Sequence, residues 1–148
     1  DFLYVANSGS NNISAFLVCD KPSTTCPSPD GTLTPVSGSP FAAGLGPASV
    51  AITPSGDFLY VANRQSNQIS GFTMNASTGA LTAQSPATTS TGANPVCVAV
   101  SPDEQHLYAA NTGAASISGF AVTESSGLLT PTEAPVTTGA QPSAIVMK

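Results

Sequence analysis

Charged residues are scarce in this sequence. Asp, Glu, Lys and Arg together make up 7% of the 148 residues, against about 25% in an average soluble protein. The cations are Lys21, Arg64 and Lys148, and the net charge is −5. Because nucleic acids and anionic membrane surfaces are bound by clustered Lys and Arg, we expect neither to be a partner of this chain.

Long apolar runs and a secretion leader are also missing. No run approaches the roughly 20 apolar residues of a membrane-spanning helix, and no basic-then-apolar segment opens the chain. We therefore predict no membrane span. The sequence opens inside a strand-like segment, Phe2 to Asn7, and we expect that a leader and flanking sequence are missing from it.

Cysteine is rare, with three residues in the whole sequence. Cys19 and Cys26 bracket an insertion, and a disulfide across so short a loop is sterically easy. A metal pair is the alternative, but no nearby His or second cysteine pair supplies the other ligands of a zinc ion. Cys97 lies in an apolar segment and is predicted to be a small buried hydrophobe. A disulfide with a Ser/Thr-rich, Lys-poor surface predicts an exported protein, secreted, extracellular or periplasmic.

What the sequence does contain is a threefold repeat. The segment Asp1–Asn7 returns unchanged as Asp57–Asn63 and in altered form as Gln105–Asn111. Each copy is followed by an Ile-Ser-x-Phe segment, then a Leu-Thr pair, then an apolar run led by proline. The copies start 56 and 48 residues apart. A period of about 40–50 residues built from strands and turns predicts the blades of a β-propeller.

We therefore predict an all-β fold, a single partial β-propeller over residues 1–148 with four-stranded blade repeats at 1–56, 57–104 and 105–148. One complete set of strands is predicted at 49–53, 58–63, 68–74 and 80–87. The second of these strands is apolar on both of its alternating faces, so both faces should be buried between neighbouring blades.

The two ends of the repeat pattern differ. The chain opens with a second strand and closes with a first strand, Pro142–Met147, which leaves an unpaired sheet edge at each end. Propellers typically close with four to eight blades, so three are too few. We expect either a piece of a longer propeller or a chain that self-associates through these open strand edges, as a closed ring or as a filament.

The repeat motif resembles that of a known family. Val50–Asn63, together with Ile69–Phe72 and Ser77–Thr82, resembles the YVTN-type propellers and, more closely, the seven-bladed lactonase-like family typified by bacterial 6-phosphogluconolactonase. The resemblance covers the whole chain. It implies a scaffold shared by sugar-lactone hydrolases, a muconate-lactonising branch and exported bacterial proteins, whose activities draw on His, Arg and Glu at one mouth of the ring. No His or Glu of this chain matches a family catalytic motif, so no catalytic residue is assigned.

Two titratable positions are candidate sites. His106 is a general-base candidate by residue type, but it aligns with Phe2 and Phe58, which indicates an aromatic packing position. The carboxylate pair Asp103–Glu104 aligns with Ser55–Gly56, which indicates a solvated turn. The sequence predicts no metal site and no cofactor.

Four residues are candidates for binding a small polar or carbohydrate ligand: Arg64, Asn7, Asn63 and Asn111. The asparagines end the second strand of every copy, where they could form a ring of amides. Asparagine also ends strands by bonding the local backbone, and its presence in every blade favours that structural alternative. Arg64 is the single arginine, in a loop where the other copies have Ser8 and Thr112. Propellers usually carry function in such non-repeating loop residues.

Two functions follow from these observations. The favoured hypothesis is an exported, non-catalytic propeller that acts as a binding or self-assembling structural module, because titratable groups are few. The alternative is a lactonase-like hydrolase that opens sugar lactones and whose catalytic residues lie in blades outside this sequence.

Overall fold

The computed structural model describes residues 1–20, 22 and 30–148, and it contains strands and turns with no helix in that part of the chain. The predicted all-β class is confirmed. The described residues accordingly include no helix that could cross a membrane. The strands in chain order are β1 (Phe2–Asn7), β2 (Asn12–Val18), β3 (Leu33–Pro35), β4 (Phe41–Ala42), β5 (Pro47–Ile52), β6 (Phe58–Asn63), β7 (Gln68–Met74), β8 (Leu81–Ser90), β9 (Pro95–Val100), β10 (His106–Asn111), β11 (Ser116–Val122), β12 (Leu129–Pro131) and β13 (Val136–Thr137).

These strands form three antiparallel sheets, which are the blades. Blade 1 has the order β1-β2-β3, with β4 also paired to β2; blade 2 has the order β5-β6-β7-β8; blade 3 has the order β9-β10-β11-β12, with β13 also paired to β11. The outermost strand is continuous in blade 2, where a bulge lies between Ser70 and Phe72 of β7. In blades 1 and 3 two short strands replace it. The blade strand order predicted from the repeat is thus present in full in blades 2 and 3.

The central strand β6 is buried on both faces, as its sequence predicts. Leu59 and Val61 pack with Ile13 against blade 1, while Phe58 and Tyr60 pack against blade 3. All six residues of β6 are buried. Burial of each large apolar side chain contributes about 1.5–3 kcal/mol, so the contacts between blades stabilise the fold.

A repeated hydrogen bond joins each blade to the next. Tyr4 Oη in blade 1 donates to the carbonyl oxygen of Gly79, 2.8 Å away in the outer turn of blade 2. Tyr60 Oη in blade 2 donates to the carbonyl oxygen of Gly127, 2.6 Å away in blade 3. We call this contact the tyrosine–glycine joint. Burial raises the pKa of Tyr60 to about 12, so the hydroxyl stays a neutral donor at physiological pH.

The predicted strand Pro142–Met147 is wrong, since residues 142–148 form no strand. The physical reason lies in the pairing of the other innermost strands: β5 pairs with β6 and β9 pairs with β10 of their own blades. In the described part of the chain no second strand follows residue 142. The start of the segment is nevertheless held in place, because Thr112 Oγ1 donates to the Pro142 carbonyl oxygen at 2.8 Å.

The cysteines are described only in part. Cys19 is buried, whereas Cys26 lies outside the described residues, so their disulfide stays a prediction. Cys97 is a free thiol. It is partly rather than fully buried, because in the described residues no further blade covers the outward face of blade 3.

Candidate functional site

One end of the blades, which we call the mouth, is the end at which β1, β6 and β10 finish in asparagine. Asn63 is fully buried there. Its Nδ2 donates to Ser70 Oγ at 2.8 Å, and its Oδ1 accepts from the Gly44 amide at 3.1 Å. The side chain therefore ties together the second strand, the third strand and the segment that enters the blade.

The other two asparagines repeat this arrangement. Asn111 is fully buried, donates to Ser118 Oγ at 2.9 Å and accepts from Thr91 Oγ1 at 2.9 Å. Asn7, which is partly buried, donates to Ser14 Oγ at 2.8 Å. The hydrogen bonds favour the structural alternative for this position, and ligand binding by these asparagines stays a prediction.

Arg64 lines a cavity of about 350 Å³ at the mouth, between blades 1 and 2. The loop that carries it is fixed by its backbone: the Arg64 amide donates to the Gly46 carbonyl at 2.9 Å, and the Gln65 amide donates to Leu45 at 3.1 Å. The remaining lining residues are small or polar, namely Ala6, Ser8, Gly46, Pro47, Ala48 and Gln65. The arginine side chain is exposed and therefore accessible to a ligand.

The side chains that line this cavity have a chemistry that suits an anion or a polar ligand. A guanidinium is charged at every physiological pH, and it pairs with carboxylate or phosphate oxygens through two parallel N–H donors. Ser8 and Gln65 add a hydroxyl and an amide to the same wall. Sequence reasoning identified Arg64 but missed both of these. The signal for Ser8 was its alignment with Arg64, which places the two residues at the same end of adjacent blades.

A second cavity, of about 400 Å³, lies at the opposite end of β6. Its wall carries four carboxylates, those of Asp57, Asp103, Glu104 and Glu124. The Glu104 carboxylate is already engaged, accepting hydrogen bonds from the backbone amide and the hydroxyl of Ser55. A hydrogen bond from Ser101 lowers the pKa of Asp103. No group of three or more potential metal ligands occurs among the described residues, and these carboxylates lie in turns between strands.

His106 takes the aromatic packing position that the repeat indicates. Its ring stacks on Tyr108, with ring centroids 6.3 Å apart. It lies at the same end of its strand as the acidic turn and therefore far from the Arg64 cavity. His106, the general-base candidate, and Arg64, the ligand-contact candidate, are thus placed at opposite ends of the blades.

Side-by-side, four-stranded antiparallel blades that expose polar loops at a mouth define this chain as part of a β-propeller. Residues 1–147 match the family described as "Lactonase, 7-bladed beta-propeller". The chain belongs to this family.

Solved structures share the fold. A proposed 6-phosphogluconolactonase from Bacteroides fragilis is 23% identical with a TM-score of 0.80, over 97% of this chain and 37% of that one. The periplasmic gluconolactonase PpgL of Pseudomonas aeruginosa is 22% identical with a TM-score of 0.78, over 96% and 38%. A protein from Lactobacillus plantarum is 25% identical with a TM-score of 0.77, over 93% and 38%.

The chain thus spans little more than a third of the length of these structures. No curated protein sequence matches it at a significant level.

Proposed function

We propose that this chain supplies three blades of a propeller that hydrolyses a sugar lactone, and that Arg64 binds the substrate at the mouth. The family match over residues 1–147 supports this proposal, and it favours the alternative hypothesis from the sequence over the non-catalytic module. The observation that carries the assignment of Arg64 is its position in a cavity between two blades, on a loop held by backbone hydrogen bonds.

The reaction gives a guanidinium a clear role. Water adds to the lactone carbonyl, the ring C–O bond breaks, and a hydroxy acid leaves as a carboxylate. Negative charge therefore develops on the carbonyl oxygen and persists in the product. A fixed positive charge stabilises the transition state most when it lies beside the oxygen on which this negative charge develops, and Arg64 supplies that positive charge. Ser8 and Gln65 can form hydrogen bonds with the hydroxyls of a sugar acid.

Activation of the water requires a base, and the described lining of the Arg64 cavity contains neither a carboxylate nor an imidazole. We therefore assign substrate binding to these blades and proton transfer to a part of the propeller outside them. The same observation supports a second candidate function, a propeller that binds a polar ligand at its mouth without catalysis.

Binding to Arg64 can be tested without turnover. We expect gluconate, the product of lactone opening, to bind the chain in isothermal titration calorimetry. Arg64→Gln should weaken binding about 10-fold or more, since a charge-assisted hydrogen bond contributes about 1.5–3 kcal/mol. The matched control is Lys148→Gln, which makes the same change in net charge away from the cavity lining and should change affinity less than about 2-fold. Equal affinities for wild type and Arg64→Gln would contradict the assignment.

The two candidate functions are separated by a pH-stat assay with glucono-1,5-lactone. Hydrolysis releases one proton per ring opened, so catalysis appears as alkali uptake above the spontaneous rate. A propeller that contains these blades and binds gluconate through Arg64 without accelerating this uptake would favour the binding module.

We also propose that the protein is exported. The proposed disulfide of Cys19 and the name of PpgL, a periplasmic gluconolactonase, support an oxidising compartment.

A further inference from the structure

Two glycines at the mouth are each covered by a side-chain amide. A Cβ built on Gly46 would lie 2.7 Å from the side chain of Gln65, and a Cβ built on Gly113 would lie 2.7 Å from the side chain of Asn94. Blade 2 therefore places the Gln65 amide over Gly46, and blade 3 places the Asn94 amide over Gly113. Neither amide could lie there if its glycine carried a side chain.

The two pairs are exchanged with respect to the repeat. Residues 48 apart are equivalent in blades 2 and 3, so Asn94 stands in the place of Gly46, and Gly113 stands in the place of Gln65. Gly46 and Asn94 both have left-handed backbone, with φ of +63° and +53°, and glycine alone would satisfy that conformation in either blade. Two different sequence solutions thus bring the same chemical group to the same space between the two loops.

The described part of the chain does not use these two amides. The side chains of Gln65 and Asn94 are exposed and make no hydrogen bond to a described residue. The blade-end asparagines Asn63 and Asn111, in contrast, each donate to a serine hydroxyl. A side-chain amide carries two donor hydrogens and an acceptor oxygen, so Gln65 and Asn94 offer these groups to a ligand.

The loop that carries Arg64 is held from both of its sides. Within blade 2 the Arg64 backbone amide donates to the Gly46 carbonyl at 2.9 Å. From blade 3 the Asn94 backbone amide donates to Asn67 Oδ1 at 2.8 Å, and Asn67 lies in the same loop as Arg64. The backbone that supports each amide is therefore fixed to the Arg64 loop.

The repeat also shows which residue lies opposite Asn94. Ser8 and Gly46 line one cavity, at the junction of blades 1 and 2. Their equivalents at the junction of blades 2 and 3 are Arg64 and Asn94. Arg64 therefore stands between the two amides, with Gln65 on the side of blade 1 and Asn94 on the side of blade 3.

We propose that Asn94 is a further ligand-contacting residue, and that Asn94 and Gln65 together make the mouth selective for a polyhydroxylated carboxylic acid. This inference rests on the proposed function, in which Arg64 binds the carboxylate. The carbon chain of the acid then lies along the mouth across both blade junctions, and each amide bonds its hydroxyls. Amides suit this role because a hydroxyl both donates and accepts hydrogen bonds. An acid of the same charge without hydroxyls gains nothing from them.

Ligand-detected NMR titrations with gluconate and hexanoate test this proposal in a propeller that contains these blades. Both ligands are monocarboxylates with equally long carbon chains, and only gluconate carries hydroxyls. Asn94→Gly installs the residue that blade 2 has at this position and suits the left-handed backbone. It should weaken gluconate binding about 5-fold and change hexanoate affinity less than about 2-fold, because it removes neutral hydrogen bonds alone. Arg64→Gln should weaken the binding of both ligands.

A double variant is the matched control. Asn94→Gly combined with Gly113→Gln gives blade 3 the arrangement of blade 2, in which the amide reaches the same space from the other loop. Gluconate affinity should return to within about 2-fold of wild type. Circular dichroism and urea midpoints check that each variant is folded, and Asn94→Gly tests the proposal by itself if the double variant is not.

The outcomes separate this inference from the proposed function. Unchanged gluconate affinity in Asn94→Gly, an equal loss for hexanoate, or a folded double variant that regains no affinity overturns the role of Asn94, and Arg64 keeps its role if Arg64→Gln still weakens both ligands. Weaker gluconate binding in Asn94→Gly with wild-type affinity in Arg64→Gln supports the hydroxyl contact and overturns the role of Arg64. A propeller that binds no gluconate overturns both.

Discussion

The side-chain amide of Asn63 donates a 2.8 Å hydrogen bond to the hydroxyl of Ser70, with both residues buried. The same asparagine accepts from the Gly44 amide. One side chain thus fixes three segments at the mouth, including the one that leads toward the innermost strand and the Arg64 cavity.

Asn63→Ala should therefore destabilise the chain by about 2–3 kcal/mol, because it leaves buried polar groups without partners. Asn7→Ala is the matched control at the same repeat position. Asn7 is less buried, so its replacement should cost about 1 kcal/mol or less. Urea unfolding monitored by circular dichroism measures both, and equal losses for the two variants would contradict this account.

The joint at Tyr60 predicts a loss of stability in alkali. Burial raises its pKa from 10.0 to about 12 in the folded chain, so folding favours the neutral phenol. In the unfolded chain the pKa of this tyrosine is 10.0. The stabilisation that comes from burying the neutral phenol is therefore fully present below pH 10 and is lost as pH rises toward 12. The denaturant concentration at the unfolding midpoint should decrease as pH rises from 9 to 12. In Tyr60→Phe this decrease should be smaller. A midpoint for Tyr60→Phe that falls as steeply as that of wild type would refute the assignment.

The disulfide proposal has a direct chemical test. In protein purified from an oxidising compartment and alkylated without reductant, we expect Cys19 and Cys26 to stay unlabelled, and Cys97, the free thiol, to react once the chain is unfolded. Mass spectrometry of the peptides reports each cysteine separately. Labelling of Cys19 and Cys26 in that material would overturn both the disulfide and the export that we infer from it.

The blade architecture was predictable because its signals are local and repeated. Phe58–Asn63 is apolar at every alternation, which is the pattern of a strand covered on both sides, and the structure buries all of it. The segment Pro142–Met147 resembles the innermost strand β5 (Pro47–Ile52) in sequence, yet it forms no strand. Whether a segment forms a strand depends on a neighbouring strand to pair with more than on the intrinsic preference of its residues. The residue pattern of the segment does not reveal whether such a neighbour is present.

The candidate site was predictable only in part. Arg64 was identified because it breaks the repeat in a loop. Ser8, which lies across the cavity, was not identified, since it comes from blade 1 and meets Arg64 only through the stacking of whole sheets. The same stacking positions Tyr60 against Gly127, 67 residues away in sequence. Contacts of this range follow from the angle between blades, for which the sequence has no local signal.

The loop before the third strand offers a stabilising substitution. Asn11 and Asn67 both have φ of +56°, and Ala115 stands in the equivalent place with φ of +46°. Left-handed backbone is disfavoured for alanine and tolerated by asparagine. The asparagine side chains also accept hydrogen bonds. Asn11 Oδ1 accepts from the Gly46 amide at 2.8 Å, and Asn67 Oδ1 accepts from the Asn94 amide at 2.8 Å.

Gln141 is the equivalent of Gly46 and Asn94, since each directly precedes a proline and has a positive φ. Ala115→Asn should therefore stabilise the chain by about 1 kcal/mol, by relieving the left-handed alanine and by giving the Gln141 amide an acceptor. Ala115→Gly separates the two effects, because glycine relieves the strain without supplying an oxygen, and its gain should be smaller. Asn67→Ala is the reverse control and should cost about 1–2 kcal/mol. Urea unfolding midpoints measure these changes, provided that the slope of unfolding free energy against urea concentration stays constant. A loss of stability in Ala115→Asn would show that the third repeat does not share the loop geometry of the other two.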